Sequence, residues 1–77
     1  MTKLHAVDNQ VIGVHSGGEV TIIARCDDAV RATMLLDRAW KLNDSRKYTA
    51  SARMLAQAEQ LPGFTWVQEV AAERGTR

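Results

Sequence analysis

Residues 11–28, VIGVHSGGEVTIIARCDD, carry most of the chemically capable side chains in the first half of the chain. They include a histidine, two adjacent glycines, a glutamate, the single cysteine and two aspartates. Residues of these types could serve a glycine-rich phosphate loop, a metal site or a nucleophilic thiol. Each of these sites requires a particular spacing, so the spacing decides among them.

The two glycines do not have the setting of a phosphate-binding loop. Such a loop directs its amides from the N-terminus of a helix, usually with a lysine or a hydroxyl residue beside it. Gly17 and Gly18 are followed by the β-branched run EVTII, and no lysine is adjacent. The glycines therefore predict a turn between two strands.

Metal and thiol chemistry are also poorly supported. The candidate ligands lack C-x-x-C or H-x-x-x-H spacing. A single cysteine at the end of a strand is typical of a small buried apolar residue, and paired carboxylates placed for hydrolysis are absent. We expect no catalytic residues, no metal, no cofactor and no small-molecule substrate, and hence no enzyme. The candidate metal ligands are His5, His15, Cys26, Asp27 and Asp28.

The composition is that of one small globular domain. The chain has 77 residues, 45% hydrophobic and 25% charged, which predicts a single domain over 1–77. Cys26 has no partner for an intrachain disulfide, which fits a reducing compartment. No apolar run has the length of a signal peptide or a membrane span, so we expect a cytoplasmic protein without a membrane partner.

Three strands are predicted, at about 3–7, 10–15 and 19–25. Residues 8–10 would turn the first strand back beside the second, although residues 3–15 could also form one long bent strand. A three-residue loop over 16–18 pairs Val14 with Val20 and Ile12 with Ile22, which gathers these apolar side chains on one face. This register sets His15 opposite Glu19, and we expect helices to pack on the apolar face.

Helical periodicity predicts three helices, at about 28–43, 45–61 and 65–74. An aspartate pair caps the first, the break at 43–45 separates it from the second, and Pro62-Gly63 ends the second. Thr65 is placed to cap the third. The prediction is an α+β fold: an N-terminal antiparallel hairpin, with the additional strand at 3–7, packed against two longer helices and a short C-terminal helix.

The first helix carries more apolar residues than its leucine-rich core face needs. Val30 and Met34 lie one turn apart on the opposite side, among positive charges. Apolar side chains flanked by arginine are typical of an interface. We expect a protein partner, or a second copy in a homodimer, to bind Val30, Arg31, Met34, Arg38 and Lys41.

A basic segment at the start of the second helix offers an alternative. Two helices with a short break resemble the order of a helix-turn-helix, and the hairpin could act as a wing. The net charge of +1 supports few phosphate contacts. The alternative patch for nucleic acid or an acidic partner comprises Arg46, Lys47, Thr49 and Arg53.

The function expected from these patterns is a small non-catalytic binding module that regulates or inhibits a partner by occluding its surface. Small chains without catalytic motifs include phage-encoded inhibitors directed at host or defence machinery, an analogy rather than a deduction from residues. The rival expectation is a small helix-turn-helix-like transcriptional regulator that binds DNA.

Overall fold

The structure, a computed structural model, describes residues 3–67 as an antiparallel sheet covered on one face by two helices. The strands follow one another in the sheet in chain order, and the α+β class predicted from the sequence is confirmed. The elements are β1 (Lys3–Val7), β2 (Gln10–Val14), β3 (Val20–Arg25), α1 (Ala29–Asp44), α2 (Tyr48–Glu59) and β4 (Thr65–Trp66).

A tight turn joins β1 to β2. Val7 pairs with Gln10, which leaves only Asp8 and Asn9 as turn residues. Asp8 has a φ of 54°, a left-handed conformation that aspartate tolerates better than most residues. The predicted separate strand at 3–7 is therefore confirmed, and the alternative of one long bent strand over 3–15 is wrong.

The turn between β2 and β3 has the predicted register. Val14 pairs with Val20 and Ile12 with Ile22. The amide of His15 donates to the carbonyl of Glu19 at 2.8 Å, so these two residues close the three-residue loop. Gly18 has a φ of 88°, the left-handed conformation that such a loop requires.

A β-bulge in β3 decides which residues contact the helices. Ile12 pairs with Ile22 but Val11 pairs with Ala24, so Ile23 is the extra residue. A bulge of this kind sets two consecutive side chains on the same face. Ile23 and Ala24 both join the hydrophobic core with Val11.

The predicted helix-packing face of the hairpin is wrong, although its register is right. Side chains alternate between the two faces of a strand, so residues adjacent to the buried Val11 point away from the core. Ile12 and Val14, with their partners on β3, therefore occupy the face opposite the helices. The face that packs against the helices includes Leu4, Ala6, Val11, Ile23 and Ala24.

Small side chains form much of the contact between the layers. Ala32 and Ala39 on α1 and Ala58 on α2 are fully buried, and Leu36 is the largest side chain with no exposure. Alanines let the helix backbones approach each other and the sheet closely. Ser51 on α2 strengthens this contact, because its buried hydroxyl donates to the carbonyl of Ala39 at 2.7 Å.

The start of α1 follows the predicted capping. The carboxylate of Asp28 accepts a hydrogen bond from the amide of Arg31 at 3.0 Å. The predicted core side of the helix is confirmed at Ala32, Leu36 and Ala39, which are buried. The helix begins and ends one residue later than the predicted range of 28–43.

The end of α1 differs from the prediction that the second helix starts at Ser45. The amides of Arg46 and Lys47 donate back to the carbonyls of Asn43 and Leu42, each at 2.9 Å. This is a Schellman arrangement, and Arg46 takes its left-handed position with a φ of 63°. The second helix therefore begins only at Tyr48.

The face of α2 that contacts the core matches the prediction only toward the end of the helix. Helical spacing predicts an apolar side that comprises Tyr48, Ala52, Leu55, Ala58 and Leu61. Ala58 is buried and Leu55 and Leu61 are half-buried, as predicted, whereas Tyr48 and Ala52 are exposed. Ser51 is buried in addition, because its hydroxyl donates a hydrogen bond inside the core.

The helix predicted at 65–74 does not begin at Thr65. Thr65 and Trp66 form β4 and pair with Arg25 and Ala24, and the amide of Val67 donates to the carbonyl of Ile23. The pairing lets Trp66 pack on the core with Phe64, whose ring meets it edge-on at 5.0 Å between centroids. Residues 68–74 of that predicted helix lie outside the described residues.

Gly18→Val tests the loop between β2 and β3. We expect a loss of at least about 1 kcal/mol in the free energy of unfolding, because a β-branched residue resists a positive φ. Open space surrounds both Gly17 and Gly18, and only Gly18 has a left-handed φ, so Gly17→Val is the matched control. Equal losses for the two variants in denaturant titrations would contradict the assigned conformation.

Arg46→Gly tests the end of α1 with a substitution that should stabilise the fold rather than destabilise it. We expect a gain of about 0.5–1 kcal/mol in the free energy of unfolding, because glycine adopts the left-handed position without steric strain. Arg46→Ala removes the same charge but keeps a β-carbon, so it should give no gain. A comparable gain for alanine in thermal melts would assign the effect to charge instead.

Candidate protein-binding surface

One side of α1 exposes large apolar side chains. Val30 and Met34, one turn apart, are 63% and 62% exposed. The sequence predicted this exposure; the binding role assigned to it stays a prediction. We use the name α1 outer face for the exposed set Val30, Arg31, Met34, Arg38 and Lys41.

Two shallow grooves adjoin Met34. The larger, of about 1070 Å³, lies between α1 and β1 and includes Leu4 and Trp40 among its lining residues. The smaller, of about 370 Å³, lies along the helix beside Arg31, Leu35 and Arg38. Met34 lines both grooves, as do Asp37 and Lys41, so these residues form a ridge between the grooves on which Met34 is the apolar side chain available to a partner.

The positively charged side chains beside this ridge differ in whether they already pair with a carboxylate of the chain. The ammonium group of Lys41 pairs with the carboxylate of Asp37 at 3.0 Å across one helical turn, an exposed contact of small energy. Within residues 3–67, neither Arg31 nor Arg38 pairs with a carboxylate. Their guanidinium groups are thus free to meet carboxylates of a partner around the apolar ridge.

The alternative basic segment is also exposed. Arg46 and Lys47 precede α2, Thr49 lies in its first turn, and Arg53 follows one turn later. Lys47 at the N-cap makes no side-chain hydrogen bond to the helix, and no acidic residue lies in the first turn. Arg46 and Lys47 therefore lie at the uncapped N-terminus of α2, and Arg53 lies in its second turn.

The residues weighed for chemistry have structural contacts. Cys26 is 1% exposed, and its thiol lies 3.5 Å from the carbonyl of Pro62. Asp28 caps α1, and the ring Nε2 of His15 lies 3.0 Å from the hydroxyl oxygen of Thr21. In the part of the chain that the structure describes, no three His, Cys, Asp or Glu side chains are grouped as metal ligands.

A second apolar surface was missed by the sequence analysis. We call it the outer sheet face; it lies opposite the helices and includes Val20, which is 56% exposed. The sequence does carry a signal for it, because the residues that point to either face of the segment VIGV are all apolar, as in strands that are buried on both faces. Its residues are Val7, Ile12, Val14, Val20 and Ile22.

Neither helix in the described range has the length and apolar character needed to cross a membrane. Comparison of the chain with protein-family models, with curated proteins and with solved structures found no match.

Proposed function

We propose that the chain is a non-catalytic protein-binding module of the cytoplasm that regulates or inhibits its partner by covering part of the partner's surface. The observation that carries this proposal is the exposure of Val30 and Met34 one turn apart on α1, where Met34 also lies between two grooves. The buried, lone cysteine supports a reducing compartment. By analogy alone, phage-encoded inhibitors of host or defence machinery belong to the functional class proposed.

Leaving the side chains of Val30 and Met34 in water is energetically unfavourable. Burying a valine or methionine side chain stabilises a complex by about 1.5–3 kcal/mol relative to exposure. A small domain has limited stability and little apolar surface to spare. Binding a partner through Val30 and Met34 uses surface that the fold itself leaves unburied.

The flanking arginines indicate the chemistry of the partner. Arg31 and Arg38 lie on the same side of α1 as Met34, without carboxylate partners within residues 3–67. Interface cores are apolar and aromatic, while polar rims orient the two proteins. The partner surface that fits best is therefore an apolar pocket with carboxylates at its edge.

The double variant Val30→Asp with Met34→Lys tests this surface. We expect an unchanged circular dichroism spectrum and melting temperature, because both residues are exposed, and at least a tenfold loss of partner capture. Capture is measured by quantitative mass spectrometry of proteins retained from cell lysate on the immobilised chain. Tyr48→Asp, at a residue of similar exposure on α2, is the matched control and should retain the same proteins.

Two outcomes would contradict the proposal. Unfolding of the double variant would place Val30 and Met34 in the core. Capture that is equal to wild type would show that the partner binds elsewhere.

Nucleic-acid binding is the second candidate function. The observation that favours it is the cluster of Arg46, Lys47 and Arg53 around the uncapped N-terminus of α2. Three cations neutralise few phosphates, and the whole chain has a net charge of only +1. We therefore rank DNA below a protein partner.

The triple substitution of Arg46, Lys47 and Arg53 by alanine tests this ranking. We expect wild-type binding to random duplex DNA to be no tighter than about micromolar at physiological salt, and the triple variant to differ little. Fluorescence anisotropy at two salt concentrations measures both. Nanomolar, salt-sensitive binding by the wild type that the triple variant loses would make DNA the leading candidate.

A further inference from the structure

The edge of the sheet formed by β1 is open in the described part of the chain. β1 pairs with β2 on one side, and no strand within residues 3–67 pairs with its other side. Natural proteins protect exposed edges with short strands, charged side chains such as lysine, proline, bulges or inward-pointing charges. Of these devices, β1 has its length of five residues and Lys3 at its first position. β1 has no proline, and its pairing with β2 is regular from Lys3 to Val7.

The turn geometry identifies the backbone groups that the open edge presents. In a hairpin with a two-residue turn, the pair flanking the turn is hydrogen-bonded, and bonded and non-bonded pairs then alternate. Val7, His5 and Lys3 therefore bond to β2. The amides and carbonyls of Leu4 and Ala6 point outward from the sheet.

The larger groove runs beside this edge. Leu4, Met34 and Trp40 give it apolar surface. Thr33 also lines the groove, and its hydroxyl oxygen is itself buried without a hydrogen-bond partner in the described residues. A strand added to β1 would therefore lie against α1 as well as against the edge.

We infer that the occupant of this edge is a second copy of the chain, whose β1 pairs antiparallel with the first about a two-fold axis at His5. The outward groups of Leu4 then bond to Ala6 of the second copy, and those of Ala6 to its Leu4. His5 faces His5 of the second copy as a non-bonded pair. The two sheets become one continuous sheet.

The charges along the strand match this arrangement. Lys3 opens β1 and Asp8 follows its end. Antiparallel pairing brings the lysine of each copy close to the aspartate of the other, whereas parallel pairing would place like charges together. The charges that line the groove are balanced: two lysines, Lys3 and Lys41, and two aspartates, Asp37 and Asp44. The groove therefore does not favour a peptide with a net charge of either sign.

This self-association goes beyond the proposed function. It uses the edge of β1 and the larger groove, which shares Met34 and Lys41 with the α1 outer face but not Val30, Arg31 or Arg38. The purified chain alone tests it, so its failure would leave partner capture through Val30 and Arg31 unaffected.

A His5→Cys variant gives the most direct test, with light scattering of the purified wild type. In a non-bonded antiparallel pair the two Cα atoms lie about 4.5 Å apart, within the range of a disulfide. His5 is exposed, so the substitution should not disturb the fold. Mild oxidation should convert most of the His5→Cys protein to a covalent dimer, while wild type, whose Cys26 is buried, stays uncross-linked.

Val7→Cys and Lys3→Cys are the matched controls. The two copies of residue 7 would lie four residues apart along the strands, about 13 Å, so Val7→Cys should cross-link to itself roughly tenfold less than His5→Cys. An equimolar mixture of Val7→Cys and Lys3→Cys should form the mixed dimer, because residues 3 and 7 face each other.

Three results would overturn the inference. The first is a wild type that remains monomeric by light scattering at millimolar concentration. The second is a wild-type dimer in which His5→Cys does not cross-link. The third is self-cross-linking of Val7→Cys as efficient as that of His5→Cys.

Discussion

The bulge at Ile23 is the local feature on which the rest of the structure depends. Without the extra residue, the side-chain alternation set by Ile22 would continue, and Ala24 would point away from the helices. With it, Ile23 and Ala24 both reach the core, and Cys26 follows them into it. Along β3, Val20 and Ile22 then lie on the outer face of the sheet, and Ile23 and Ala24 lie in the core.

This division limits what the two helices can bury. The core between the layers is built largely from alanine, and the largest completely buried side chains within residues 3–67 are those of Leu36 and Val11. Apolar residues consequently stay on both outer sides of the molecule, on α1 at Met34 and on the sheet at Val20. Such surface is unfavourable in an isolated small domain and favourable in one that associates with a partner or a copy.

The fold was predictable where the signal is local. The register of β2 on β3 followed from Gly18 and from apolar pairing, and the core side of α1 followed from its long periodicity. The face of the sheet was not predictable, because the segment VIGV is apolar in both alternating sets and no residue type marks the bulge. The end of α1 was not predictable, because Arg46 occupies the left-handed position where a glycine normally marks the end of a helix.

Long-range pairing accounts for the error near the C-terminus. A threonine at position 65 is compatible with a helix cap and with a strand. It forms a strand because the edge of β3 is available for pairing, where Trp66 pairs with Ala24. The candidate site was predictable only as a set of exposed residues on α1. Its grooves could not be foreseen, since they depend on the position of β1 beside that helix.

The central claim is that the α1 outer face binds the partner, and the methyl resonances of the methionines test it most directly. The chain has three methionines. Met34 is exposed on α1, and the half-buried Met54 on α2 serves as an internal reference. Spectra of the methyl-labelled chain are compared, at one concentration, before and after addition of the purified captured protein. Our account predicts that the Met34 resonance shifts or broadens while that of Met54 is unchanged; an unchanged Met34 resonance in a formed complex would contradict it.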